Sequence, residues 1–553
     1  DIWCERVYDP WVDMQEKMKE NGLLLWAHES KDNVKDFDFL GFTLQYEMSY
    51  TNVLNMLDLS GIPLRSSERA EEFPIVIGGG PCAYNPEPIA DFFDIFNIGE
   101  GESMLVEIVR LYIKMQDEGR YTKAEFLHEA ARTIKGVYVP SLYDVEYNPD
   151  GTIKAYTPKY SDIPTKITKR IVEDLDNSIF PDYAIMPYTE VVHDRIMLEV
   201  FRGCIRGCRF CQAGIIYRPV REKSPDVLNE QAKCIFENTG YEEISLSSLS
   251  ISDYTGLPEL TDKLLEWTKD NMVSFSLPSL RVDSFTKELM EKVASVRSSS
   301  LTFAPEAGSQ RLRDVINKNV REEDLMRAVN VAFDAGKTLV KLYFMQGLPT
   351  ETEEDLAAIP GLAKQVIEAF YANPNRNRAK SPQVTFSVSP FIPKPFTPFQ
   401  WEPQDSLDVI KQKQEFIGRC VTDRKIKYQH HDAEICRIEA VLARGDRRLC
   451  KALELACNKG FKFDAWSEFF DYDRWLQVFE ECGIEPDFYA NRRYSFDEVL
   501  PWDIIDCGVD KDFLIRECKK AYESQTTPSC REKCSGCGAN KLGGERTCCP
   551  KRK

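Results

Sequence analysis

Short apolar runs alternate with helix-patterned segments along most of the chain. Residues 37–45 (FDFLGFTLQ) and 73–77 (FPIVI) are apolar runs ending near glycine, and Tyr50 to Leu59 between them carries helical spacing. Asp91 to Glu102 (DFFDIFNIGEGE) reads as a further strand ending in a glycine turn. This alternation predicts a parallel sheet with flanking helices, a Rossmann-like α/β domain over 1–135. Glycine turns at strand carboxyl ends are where such sheets take ligands. The chain opens on Asp1, and DIWCERVYDPW reads as though it began inside that domain. Residues 136–190 change character, with NPDG at 148–151, several prolines and the alternating TIKAYTP, and predict a β-rich connector. From 191 to 403 strand and helix patterns alternate six times, with strands expected near 195–201, 243–250, 273–280, 299–305, 338–346 and 383–391. Ser224 is placed to cap a helix with Pro225 at its first position. The run T-E-T-E-E-D sets acids at the start of a helix over Thr350 to Ala372. Residues 404–523 carry apolar positions at helical spacing. His430 and His431 fall within them as neighbours that would face different directions on a helix, which argues against a shared metal site. A cysteine-rich tail, 524–553, closes the chain.

Composition narrows the class. A chain of 553 residues is long enough for three or four domains, and a hydrophobic content of 43% supports real cores. Lys plus Arg number 71 against 89 Asp plus Glu, a net charge of −18. Such a chain is a poor default binder of nucleic acid or anionic membrane, although local basic patches can override the average. No apolar run approaches the ~20 residues of a membrane span, and no signal peptide is visible. The 18 cysteines fall into two tight clusters plus scattered singles. The singles read as small buried hydrophobes in a reducing cytoplasm.

The chemistry concentrates in Leu198 to Pro219, LEVFRGCIRGCRFCQAGIIYRP, which holds Cys204, Cys208 and Cys211 as C-x3-C-x2-C. Clustered thiolates select zinc, copper(I) or iron–sulfur. A structural zinc site wants four closed ligands, whereas a [4Fe–4S] cube held by three local cysteines leaves one iron open to a substrate-like ligand. Gly203, Gly207 and Gly214 suit a loop wrapped tightly around an inorganic core. Arg202, Arg206 and Arg209 would offset the charge of a thiolate-bound cluster. The tail CREKCSGCGANKLGGERTCC repeats the spacing with Cys530, Cys534 and Cys537 and adds Cys548 and Cys549. With a fourth ligand that set is closed and suits structural zinc or a second [4Fe–4S] cluster. Lys533, Lys541, Arg546 and Lys551 to Lys553 make the tail a basic knuckle, a form that can touch RNA.

The 204–211 loop resembles the motif of the radical S-adenosylmethionine (SAM) enzymes, C-x3-C-x-aromatic-C, with Phe210 in the aromatic slot. The six βα units resemble the open, partial (βα)6 TIM barrel of that superfamily. With GGGPCAYNPEP, FTLQYEMSYTN (42–52), RGC-x-RGCRFCQAG and SPF-x-PKP-x-TPFQW, nearly the whole chain resembles a bacterial radical SAM family that carries an N-terminal B12-binding-like domain. The resemblance implies a [4Fe–4S] cluster on Cys204, Cys208 and Cys211, SAM chelated to its open iron, and an electron donor of flavodoxin or ferredoxin type. It implies SAM contacts at the strand ends: Phe210, Ser247 and Ser248 in place of the family's G-G-E, Arg281, Glu306 toward the ribose or methionyl end, and Gly347 near adenine. Cobalamin stays open as a further cofactor, because His28 lacks the D-x-H-x-x-G context of cobalt-ligating domains. The substrate is not legible, with RNA methylation or methylthiolation among the possibilities. The alternative class is a non-catalytic zinc or iron–sulfur scaffold that binds RNA or protein.

Overall fold

The computed structural model describes residues 2–181, 183–189, 191–276 and 301–543. Its first sheet runs β1 (Phe39–Thr43), β2 (Ile75–Gly79), β3 (Ile95–Asn97) and β4 (Val137–Tyr138), side by side in that order. The first three are parallel and β4 is antiparallel to β3. Ile75, Val76 and Ile77 are all buried, as an unbroken apolar run covered by helices on both faces requires. The helix Tyr50–Leu59 makes the crossover between β1 and β2. Next comes an antiparallel hairpin, β5 (Tyr143–Tyr147) with β6 (Ile153–Pro158), turned by the NPDG residues. A short strand β7 (Ile167–Thr168) follows.

The expected strand–helix alternation is built in two parallel sheets. One has the order β12–β11–β8, from β8 (Ile196–Glu199), β11 (Glu243–Ser247) and β12 (Ser274–Ser276). Between β8 and β11, the two-residue strands β9 (Phe201–Arg202) and β10 (Arg221–Glu222) pair antiparallel and bracket the cysteine loop. The other sheet is β13 (Leu301–Glu306), β14 (Leu339–Gln346), β15 (Gln383–Pro390) and β16 (Ile426–His430), all parallel. The Ser224 hydroxyl accepts from the Val227 N–H and starts the helix Pro225–Thr239. Thr352 and Asp355 form a reciprocal cap, so the long helix begins at Glu353, not Thr350.

One expectation is corrected. Residues 404–523 are not helical throughout: β16 lies inside them and extends the barrel sheet past 403, and His430 sits on it rather than on a helix. Five residues between two long amphipathic helices were absorbed into the helical pattern. A last strand, β17 (Ile505–Asp506), pairs with β7. The N-terminal sheet and the C-terminal helices share one core. A continuous apolar cluster runs from Leu54, Ile77 and Phe96 to Val441, Leu453, Trp475 and Trp502.

Polar bonds across hundreds of residues stitch the same interface. The Thr51 hydroxyl donates to Asp464 at 2.5 Å, and Arg447 meets the fully buried Glu87 at 2.9 Å. Lys394, from the SPF-x-PKP exit of β15, reaches both Glu47 (2.8 Å) and Glu439 (2.9 Å).

The carboxyl edge of the first sheet is filled by protein. A Cβ on Gly99, whose φ is +112°, would stand 2.0 Å from the Arg170 carbonyl oxygen, and one on Gly80 2.8 Å from that of Leu44. Beyond this edge the Tyr84 hydroxyl donates to the Ile216 carbonyl at 3.4 Å. Glu100 accepts from Arg221 at 2.7 Å and lies 3.1 Å from Arg202. The N-terminal domain keeps the Rossmann-like order, and residues at its carboxyl edge contact the segment that carries the cysteine loop. Among the described residues no helix is long and apolar enough to cross a membrane.

Candidate functional site

The loop begins where β8 and β9 end, at the carboxyl side of the barrel, the side on which such barrels carry chemistry. Gly203 takes φ +85°, and a Cβ there would lie 2.7 Å from the Tyr217 oxygen and 2.9 Å from that of Pro219. The outgoing and returning strands of the loop thus touch at a point only glycine allows. Gly203→Ala is expected to cost about 1–3 kcal/mol and to lower the iron taken up on anaerobic reconstitution. Wild-type melting with full iron would show that the loop can close another way.

Cys204, Cys208 and Cys211 lie near enough to act on one another electrostatically. Burial pushes the Cys204 thiol up, and burial with the neighbouring Cys208 takes Cys211 to about 12. Binding a metal cluster here therefore releases protons. Backbone N–H groups already aim at sulfur, Arg206 to Cys204 at 3.4 Å and Gly214 to Cys211 at 3.3 Å. Among the described residues no three His, Cys, Asp or Glu side chains converge as they would on a single metal ion. A cube offers each thiolate a different iron, and three thiols on one loop, two of them with N–H···S support, fit it.

The arginines divide unexpectedly. Arg202 is taken by Glu199, Glu100 and Glu102, and Arg206 pairs with Asp253. Arg209 is fully buried against Glu517 and the carbonyls of Asp314, Val315 and Gln525. All three tie the loop to its surroundings. The guanidinium that stands among thiols is Arg218, 3% exposed. It donates to the Gly214 carbonyl (2.9 Å) and the Arg206 carbonyl (2.8 Å), the inner backbone of the loop. Nothing in its setting, Y-R-P, singled it out. Lys169 was missed for the same reason: it is buried and donates to the Ile216 and Arg218 carbonyls.

Phe210 packs from the loop against an apolar cluster that includes Ala307, Leu348 and Phe391, at the exits of β13, β14 and β15. Asn317 donates to the Gly207 carbonyl at 3.0 Å and accepts from the Thr527 N–H at 2.8 Å, joining loop and tail. Ser247 ends β11, and its carbonyl accepts from Val200 at 3.0 Å. The Ser248 hydroxyl accepts from the Ser250 N–H at 3.3 Å, and Ser250 in turn donates to Asp253, the partner of Arg206. Both serines thus stand at the rim of the cysteine loop.

Glu306 ends β13 with φ +69°, a conformation that costs a non-glycine residue energy and that clusters at ligand sites. Lys318 meets its carboxylate at 3.1 Å, and the same Lys318 acts on Cys211. Glu306 is thereby brought to the loop through a lysine that the sequence did not single out. At Gly347 a Cβ would stand 2.8 Å from Asp405, and its N–H donates to Glu351 at 2.8 Å. The protein's own packing already demands that glycine. Arg281, Cys548 and Cys549 lie outside the described residues.

Residues 1–140 match the family model of radical SAM proteins, N-terminal, and residues 198–361 that of the radical SAM superfamily. An uncharacterized protein of Methanocaldococcus jannaschii is 31% identical over 471 residues, 85% of this chain and 91% of its own length. The chain belongs to the radical SAM superfamily. It is an enzyme of this class, and the cofactors of radical SAM chemistry are a [4Fe–4S] cluster and SAM. The chain is also similar to the tRNA-2-methylthio-N(6)-dimethylallyladenosine synthase of Petrotoga mobilis, 24% identical over 213 residues, 36% of this chain and 46% of that one. Among solved structures, a radical SAM methyltransferase from Kitasatospora setae with cobalamin and a [4Fe–4S] cluster bound matches 68% of this chain and 67% of its own at 13% identity, with a TM-score of 0.41.

Proposed function

We propose that Cys204, Cys208 and Cys211 hold the cluster and that this chain cleaves SAM reductively to modify a substrate by hydrogen abstraction. The observation that carries this is the loop itself: three half-buried thiols, no fourth cysteine within it, at the carboxyl end of a parallel barrel strand. Held there, a [4Fe–4S] cluster would supply the one electron needed to split the S–C5′ bond of SAM into methionine and a 5′-deoxyadenosyl radical, which would take a hydrogen atom from the substrate. Glu306, steadied by Lys318, accepts from the vicinal hydroxyls of the SAM ribose. Phe210 closes the apolar side and keeps water from the radical. Ser247 and Ser248 are assigned to the amino end of the methionyl group, and Arg281 to its carboxylate. The electron comes from a flavodoxin- or ferredoxin-type donor. RNA methylation or methylthiolation is the substrate reading that the Petrotoga mobilis relative supports.

The test is anaerobic reconstitution with iron and sulfide, then SAM and dithionite, with chromatography for 5′-deoxyadenosine. Wild type is expected to form it and Cys204→Ala to form none. A fully reconstituted wild type that neither binds SAM in calorimetry nor forms the nucleoside would sink the reading.

A further inference from the structure

The second cysteine set is not a free appendage. The N–H of Cys530 donates to the Ile205 carbonyl at 2.9 Å, one residue from Cys204, and its side chain is buried beside Ile205. Upstream, the tail is clamped by Arg209 to Glu517 and by Asn317 to Thr527. Downstream, the Cys537 carbonyl accepts from the Asp510 N–H at 2.9 Å, and Arg531 pairs with Glu222 of β10. So C-x3-C-x2-C is laid against the back of C-x3-C-x2-C.

Arg218 stands between the two sets. The Cys537, Cys530 and Cys204 thiols all act on its charge. Two of its nitrogens are spent on loop carbonyls, and Nη1 is buried with no oxygen acceptor, the Cys537 thiol being the further group that the guanidinium meets. A buried guanidinium N–H with only a thiol beside it is costly to leave so weakly met, so the fold is expected to supply a stronger acceptor. Thiols are weak acceptors, whereas the thiolates and sulfides of an anionic cluster are strong ones, and hydrogen bonds to sulfur tune such clusters.

We propose that Cys530, Cys534 and Cys537 bind a second iron–sulfur cluster, packed against the loop that carries the first, with Arg218 shared between them. Zinc is the competing occupant. A closed zinc site uses thiolates converging on one tetrahedral point, usually from two C-x2-C pairs. The three tail thiols come from a single C-x3-C-x2-C run, the same spacing as the loop that carries the first set.

The experiment counts metal on the full chain, reconstituted anaerobically. Wild type should carry about eight iron per chain, and about four should remain in Cys530→Ser/Cys534→Ser/Cys537→Ser and in Cys204→Ser/Cys208→Ser/Cys211→Ser, as two [4Fe–4S] clusters require. The first triple variant should keep SAM binding and the second lose it, which separates failure of this inference from failure of the SAM reading. Electron paramagnetic resonance of the reduced wild type should show two interacting centres. Wild type with about four iron and one zinc that leaves with the tail cysteines would overturn the proposal, as would a tail variant that keeps all its iron. Should the tail variant fold poorly, Arg218→Gln serves instead. Removing the positive charge should lower the reduction potential of the tail cluster, and an unchanged potential would take Arg218 out of the site.

Discussion

Replacing Lys394 by methionine is expected to destabilise the protein by about 3–5 kcal/mol, the usual consequence of removing one partner from a buried ion pair. Lys394 donates to both oxygens of Glu47 at 2.8 Å and lies 2.9 Å from Glu439, which also accepts from the Tyr46 hydroxyl at 2.8 Å. The Glu47 and Glu439 side chains are only 9% and 13% exposed. Burial opposes the lysine's charge, but the Glu439 and Glu47 carboxylates outweigh it and hold its pKa above the ordinary lysine range. The lysine therefore stays charged across the working pH range. Without it two partly buried carboxylates confront each other, one on the N-terminal domain and one on the C-terminal helix Ala433–Arg444. The readout is urea unfolding followed by tryptophan fluorescence, since Trp475 and Trp502 lie in the shared core. Lys394→Met/Glu47→Gln should recover part of the loss, because it removes one of the two opposed charges. A single variant as stable as wild type would mean that the apolar core alone holds the two regions together.

That cluster also marks where sequence reading stops. Strand and helix order in the barrel was legible because each element announces itself locally, by period, cap or proline. The cysteine loop was legible because its three ligands fall within eight residues. What pattern could not supply is which distant segments meet. Lys394 and Glu47 were both inside motifs singled out beforehand, yet nothing in 42–52 or 389–401 says that they are partners. Nor does a period of 3.6 residues reveal that Leu453 and Ile77 share a core. Strand β16 failed for a different reason, being five residues long between helices whose spacing dominates any window placed over it. At the site, Arg202, Arg206 and Arg209 drew attention by lying between the cysteines, but carboxylates from elsewhere in the chain claim them. Arg218 and Lys318 reach the thiols from outside the 204–211 cysteine run, one through a turn and one from the helix end that follows β13.

Glu306→Gly is expected to bind SAM at least tenfold more weakly while melting no lower than wild type. The two halves have separate causes. At φ +69° a glutamate pays about 1–3 kcal/mol of backbone strain, which glycine relieves. Against that stand the greater chain entropy of glycine, about 0.5–1 kcal/mol, and loss of the partly exposed ion pair with Lys318, worth about 0–1 kcal/mol. These terms nearly cancel, so the melting temperature should hold or rise. Binding has no such compensation. A carboxylate accepting from ribose hydroxyls makes charge-assisted hydrogen bonds worth about 1.5–3 kcal/mol each, and about 1.4 kcal/mol is a factor of ten. Glu306→Gln keeps the strained backbone and one acceptor oxygen, so it should bind SAM with intermediate affinity and melt like wild type. Calorimetry with SAM on reconstituted protein and a thermal melt of each variant settle both halves. Unaltered affinity in Glu306→Gly would remove Glu306 from the SAM site. A sharp fall in melting temperature would mean that its strained conformation is maintained for packing rather than for the ligand.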